Sequence, residues 1–211
     1  MSTQEILSAA VEIVTKGGTG ELSIRRLADQ IGISPMAVYN HFSSKDELLG
    51  AVIDELITTI PTEYAEAGNW VEGLRTFART IRSVALESPD WIPVLMQTRM
   101  TPLGLDRMEK TLRALQEQGL SQSHAVTAYT AIYGFAFGHA SLESSRIHLH
   151  GKNHSGYWTP DFASLSQARY PALHASAEQL NQTSATAEFE SALDRLLNSL
   201  EAEFSVSRPS C

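Results

Sequence analysis

Apolar residues recur along this chain at spacings of three and four, and no stretch alternates as a strand would. Ile6, Ala10, Ile13 and Val14 form one such stripe, opened by the capping box Ser2-x-x-Glu5 and closed by Gly17-Gly18. Ile24, Leu27, Ala28 and Ile31 form a second, with Ser23 placed to cap its free amides and Gly32 to end it. Ser34 and Pro35 start a third helix, Pro35 to about Phe42, because a proline at the first helical position gives up no hydrogen bond. A further box, Ser44-x-x-Glu47, opens a helix through Leu48, Leu49, Val52, Ile53, Leu56, Ile57 and Ile60 that Pro61 stops. The pattern then predicts helices over Trp70–Ala85, a proline-broken stretch from Trp91 to Met100, Leu103–Gln118, Ser121 to about Arg146, Phe162–Leu180 with a break near Pro171, and 188–203. In the helix after Leu103 the expected stripe is Leu105, Met108, Leu112 and Leu115. Residues 147–161 have no period and read as a loop. The fold class is therefore all-α. Residues 1–48 are expected to form a small domain, 49–204 a larger one, and 205–211 a frayed tail.

Two short helices crossed through a Gly turn make a helix-turn-helix, and Pro35–Phe42 has only Val38 and Phe42 as core anchors. A helix that short is not stable alone. Its other face, with Met36, Tyr39, Asn40 and His41, suits a recognition helix in a DNA major groove, although a plain helical corner has the same outline. The helix of residues 45–60, some 16 residues, is about 25 Å long at 1.5 Å per residue, and its apolar stripe is too long for the small domain alone. Its later half should pack on the helices of the larger domain and link the two halves mechanically.

Composition narrows the possibilities. The 211 residues include 43% hydrophobic and 19% charged positions, with a net charge of −8. No apolar run approaches the roughly 20 residues of a membrane span, and polar Ser2-Thr3-Gln4-Glu5 is no signal peptide. A cytoplasmic protein without a membrane partner is expected. The single cysteine, Cys211, fits a reducing compartment. Residues 1–50 carry Lys16, Arg25, Arg26 and Lys45 against six acids, so even this segment is net −2. Non-specific DNA affinity through counterion release must be weak, and a few placed cations must do the reading. No G-x-S-x-G, HExxH or cysteine pair is present, so no enzyme activity and no cofactor are expected. His148, His150 and His154 (H-x-H-x3-H) invite a metal reading or that of a metal-dependent enzyme. With no acid nearer than Glu143 and Asp161, solvated loop histidines are the expectation and no metal site is assigned.

Ala37, Tyr39, His41, Phe42, Lys45 and Leu48, in the string A-V-Y-N-H-F-S-S-K-D-E-L-L, resemble the signature of the TetR family of bacterial transcriptional regulators. The later segments Leu115–Ser121, Tyr170–Leu173 and the closing F-E-S-A-L-D-R-L-L-N-S-L resemble its tetracycline-repressor branch. The resemblance implies a homodimer binding a palindromic double-stranded DNA operator, released by a small-molecule effector. It also implies that Tyr39, His41 and Lys45 contact phosphates. Arg25 would reach a guanine edge or a phosphate, with Arg26 beside it. Pro35, Met36 and Ala37 are placed to touch the groove, the latter two against thymine methyls, and Asn40 to meet adenine or water. Trp91, Met96, Met100, Tyr129, Tyr133, Phe137 and Glu143 are the expected effector-binding group. Gly134 and Gly138, four apart on one helix face, suggest close approach of a partner helix, of a ligand, or of a neighbour in the same chain. With Phe189, Leu193 and Leu197 they are the expected dimer interface. Tetracycline repressors carry a metal-binding His ahead of a Thr-Arg pair, whereas Leu95 stands at that place before Thr98-Arg99. Tetracycline is therefore not the expected effector. A regulator of the same fold without a small ligand would show a packed core with no cavity.

Overall fold

The structure, a computed structural model, describes residues 1–60, 68–88, 91–97, 99–150, 162–182 and 184–206. All its regular elements among these residues are helical. In order they are α1 (Thr3–Gly17), α2 (Ile24–Ile31), α3 (Pro35–Tyr39), α4 (Lys45–Thr58), α5 (Trp70–Glu87), α6 (Trp91–Gln97), α7 (Pro102–Glu117), α8 (Gln122–His150), α9 (Pro171–Ala175), α10 (Ala177–Gln182) and α11 (Ala185–Val206). None of these helices is long and apolar enough to cross a membrane.

The caps sit where the sequence places them. Ser2 and Glu5 close a reciprocal box on α1, and the Ser23, Ser34 and Ser44 hydroxyls accept from Arg26, Ala37 and Glu47 amides. Gly32 takes the left-handed conformation (φ 71°, ψ 33°), and the Ile33 amide donates back to the Ala28 carbonyl at 3.0 Å. That turn fixes the crossing of α2 and α3.

Three segments differ from expectation. Helix α3 ends at Tyr39 because the His41 and Phe42 amides both donate to the Val38 carbonyl, tightening the chain into a turn. Helix α8 runs on to His150, since Ile147-His-Leu-His150 contains no breaker before Gly151. The stretch expected as helical over 162–180 with a break near Pro171 opens as a 3₁₀ turn at Phe162–Ser164, and α9 and α10 follow from Pro171 onward. The metal question does not resolve: His154 and the side chains of His148 and His150 lie outside the described residues.

Two apolar cores form. The first gathers Ile6, Ala10, Val14, Leu27, Val38 and Phe42 with Leu48, Val52, Ile53 and Leu56 of α4, and also takes Val94 of α6. The second is built on α5 lying along α8, with α11 across both. The expected division near residue 48 thus falls inside a helix that the first core occupies through Leu56.

Glu143 belongs to the second core. It is bound by the Arg82 guanidinium through two hydrogen bonds of 2.7 and 2.8 Å, and the side chains are 14% (Arg82) and 10% (Glu143) exposed. Arg82 also donates to Thr186 at 2.8 Å and lies 5.2 Å from the Phe189 ring centroid. This pair ties α5, α8 and α11 together. Glu143→Ala would strand the arginine in a largely dry site, at a cost of about 3 kcal/mol. At roughly 2–4 °C per kcal/mol for a chain of this size, thermal denaturation should show a fall of roughly 10 °C. Glu190→Ala, which breaks the more exposed pair with Arg79, should cost about 1 kcal/mol or less.

Candidate functional site

Helix α3 divides cleanly into two faces. Val38 is fully buried and the following Phe42 nearly so, while Met36 is 70% and Tyr39 48% exposed. Pro35, Asn40, His41 and Lys45 are exposed around them and Ala37 is half-buried. An exposed methionine and tyrosine side by side on so short a helix find no core within the chain. The turn after α3 is tethered: His41 Nδ1 and Thr3 Oγ1 share a hydrogen bond of 2.9 Å, tying this surface to the start of α1. Ser43 donates its backbone N–H to Glu47 at 2.7 Å and, with its hydroxyl, holds that carboxyl below the usual carboxylate range. Lys45 is thereby presented on a fixed helix start. Arg25 and Arg26 are both exposed, but Arg26 is paired with Glu21, so the two are not equivalent.

The second site is a cavity of about 140 Å³ between the two cores. Of the residues expected to bind an effector, Met100, Tyr129, Tyr133 and Phe137 line it. The other three do not. Trp91 packs on the first core, Met96 points outward at 55% exposure, and Glu143 is held by Arg82. The remaining wall comes from Ile53, Ile57 and Ile60 at the end of α4, Phe77 and Ile81 of α5, Leu95 of α6, and Arg99, Thr101, Gly104, Arg107 and Met108 around the start of α7. The aromatic side is continuous, with Tyr129–Tyr133, Tyr133–Phe137 and Phe77–Tyr133 centroids 5.7, 4.4 and 6.4 Å apart. Burial pushes the Tyr133 phenol up, so its hydroxyl stays protonated. Arg107 donates to the Ile60 carbonyl at 2.6 Å, closing the free end of α4 from across the cavity. A surface cleft with Thr19, Asp46, Leu49 and Gly50 on its far wall shares Ile53, Arg99, Met100 and Thr101 with the cavity.

Of the stripe expected on α7, Met108, Leu112 and Leu115 face inward and Leu105 does not. Leu105 is 55% exposed, whereas Gly104, Met108, Thr111 and Leu115 face inward. Thr111, 4% exposed, is a polar residue on the buried face, and it is satisfied by donating to the Arg107 carbonyl at 2.9 Å.

The candidate dimer residues separate into two groups. An added Cβ at Gly134 or Gly138 would meet no atom within 4 Å and both are exposed, which removes packing within one chain as their reason. Phe189, Leu193 and Leu197 are corrected: all three are fully buried in the subunit's own second core and offer no surface to a partner. Phe189 lies 5.3 Å from both Phe135 and His139, on the α8 side of α11. The exposed row on α8 is Val126, Thr130, Gly134, Gly138 and Leu142, one residue every four.

Residues 6–52 match the family described as bacterial regulatory proteins, tetR family, and residues 62–204 match the tetracyclin repressor-like C-terminal domain. The chain belongs to the TetR family. An HTH-type transcriptional regulator of Saccharopolyspora erythraea is 30% identical over 146 residues, covering 68% of this chain and 61% of that protein. An HTH-type transcriptional repressor of Mycobacterium tuberculosis is 31% identical over 139 residues, 63% of this chain and 53% of its own. The chain thus spans between half and two-thirds of the length of these curated relatives. ActR of Streptomyces coelicolor, in its apo crystal structure, superposes with a TM-score of 0.76 at 26% identity, over 99% of this chain and 98% of that one. Its complex with actinorhodin superposes with a TM-score of 0.74 at 25% identity, over 96% and 98%.

The two faces of α3 make a separable prediction. Val38→Ala should cost about 2 kcal/mol through lost packing. Met36→Ala and Tyr39→Ala should each change stability by less than about 0.5 kcal/mol. Urea denaturation of the three variants checks the division.

Proposed function

We propose that this TetR-family regulator is a repressor that holds a palindromic operator as a homodimer and releases it when a small molecule fills the cavity. One observation carries the reading: α4 serves both sites. Its Leu48, Val52 and Leu56 lie in the core that supports α2 and α3, while its Ile53 and Ile57, with Ile60 just past its end, form one wall of the cavity. An occupant larger than the present space must move that wall, and the wall is the base of the recognition domain. The Arg107–Ile60 hydrogen bond fixes the chain just past the end of α4. Binding that favours a displaced α4 lowers operator affinity by the difference in affinity between the two arrangements, typically 1–3 kcal/mol. The ActR–actinorhodin complex supports a small-molecule effector, and the M. tuberculosis relative supports repression. The cavity weighs against a regulator of the same fold that needs no small ligand.

On the DNA side, Met36, Ala37 and Pro35 meet the groove, Arg25 reaches a base edge or phosphate, and Tyr39, His41 and Lys45 take phosphates. Asn40 and Arg26 lie at the margin, the latter shared with Glu21. The dimer forms on the α8 row of Gly134 and Gly138, where small residues let helices approach closely.

Selection of duplexes from a random pool tests the whole reading. The enriched sequence should have two-fold symmetry with half-sites about one helical turn apart. No enrichment, or an asymmetric site, would count against it. Lys45→Ala should weaken operator and random DNA alike and flatten the salt dependence by about one phosphate per subunit. Titrations across salt concentrations measure that slope. Gly138→Leu should shift the protein towards the 23.1 kDa monomer in sedimentation, because a branched side chain forces the facing helices apart.

A further inference from the structure

The cavity wall has fifteen residues, of which only Arg99 and Arg107 are charged; no Asp, Glu or His is among them. This is unusual for this chain, which carries 24 acids against 16 lysines and arginines. Elsewhere in the larger domain Arg75, Arg79, Arg82 and Arg113 each have a carboxylate partner. Arg99 and Arg107 have none within ion-pair distance among the described residues. Arg107 spends one of its five N–H donors on the Ile60 carbonyl, leaving the rest of the fork for an acceptor. The half-buried Arg107 and the exposed Arg99 keep N–H donors at the wall, and an anionic guest would accept from them. The same wall carries the ring surface of Tyr129, Tyr133 and Phe137, which favours an offset or edge-on aromatic guest. The space of about 140 Å³ is close to the roughly 150 Å³ that holds a single benzene ring.

We propose that the effector is an aromatic anion, its acidic group held by Arg107 and Arg99 and its ring against Tyr129, Tyr133 and Phe137. This rests on the reading of the cavity as the effector site. Arg107 supplies a forked donor pair matched to a carboxylate, and Arg99, at the junction with the outer cleft, draws the anion in.

Calorimetric titration of the full-length protein with two matched pairs, benzoate against benzamide and 1-naphthoate against 1-naphthamide, tests the proposal. Each acid should bind at least tenfold tighter than its amide. The ratio should fall below threefold in Arg107→Met and be reduced in Arg99→Met, with amide binding unchanged. Arg99 is exposed, so its variant keeps the test alive if Arg107→Met fails to fold. Arg113→Met, on the outer face of α7, should leave the ratio as it is. Equal binding of acid and amide overturns the anionic reading and leaves a small-molecule cavity standing. Acid preference that survives in both arginine variants places the anion elsewhere and also overturns it. Binding of none of the four compounds up to their solubility removes the effector-cavity reading itself, and this proposal with it.

Discussion

Helix α4 buries its apolar surface in the first core while the chain just past its end joins the second through Ile60, and the rest of the molecule depends on that link. Its first three turns complete a domain whose other helices are too short to stand without it. Ile57 in its last turn and Ile60 just beyond it face the larger domain across the cavity. Helix α6 repeats the arrangement in reverse, sending Val94 into the small core while Leu95 touches both. Close-packed interiors do not deform smoothly; they switch between arrangements. A domain joined to its neighbour through two shared helices, with a void between them, has the parts that such a switch requires.

The charge distribution keeps the same division of labour. The larger domain uses its arginines internally, with Arg75, Arg79 and Arg82 on consecutive turns of α5 fastening α8 and α11. The small domain, net negative over residues 1–50, leaves Lys45 and Arg25 exposed close to the recognition helix. On the proposed reading, such a protein would gain little from the general attraction of DNA for cations, and contact geometry would have to supply its discrimination. The tether between Thr3 and His41, and the fixed N-terminus of α4, serve that geometry.

Much of this is legible in the sequence because its signals are local. Ser23, Ser34-Pro35, Gly32 and the Ser2–Glu5 box act within four residues and the structure keeps each of them, whereas Ser44 caps α4 but Glu47 reaches to Ser43 instead of closing the second box. The TetR-family signature at Ala37–Leu48 points directly to the outward face of α3. The parts that are not legible depend on which neighbour a buried face meets. The stripe Phe189–Leu193–Leu197 announces burial but not by what, and its own subunit takes it. Glu143 reads as a polar group for a ligand until Arg82, 61 positions away, is seen holding it. Met96 and Trp91 lie on a helix too short for its pattern to define an inward side. On α7 Leu105 turns outward while Gly104 and Thr111, residues with little hydrophobic signal, share the inward face. Gly134 and Gly138 stand out in the sequence by their spacing, yet only the absence of neighbours within the chain points them outward.

The central claim is that the cavity wall sets the spacing of the recognition helices through α4. Gly104 offers a direct handle, since a Cβ there would lie 3.2 Å from Met100 Cγ and 3.8 Å from Ile57 Cδ1, and a larger side chain would press on α4 itself. The measurement is the distance between spin labels on Met36→Cys in the two subunits, in a Cys211→Ser background, with and without Gly104→Leu. Without it, the helices should stand near the 34–36 Å that successive major grooves demand, and with it the distance should change by several ångströms. Identical distance distributions in an intact dimer would contradict the account.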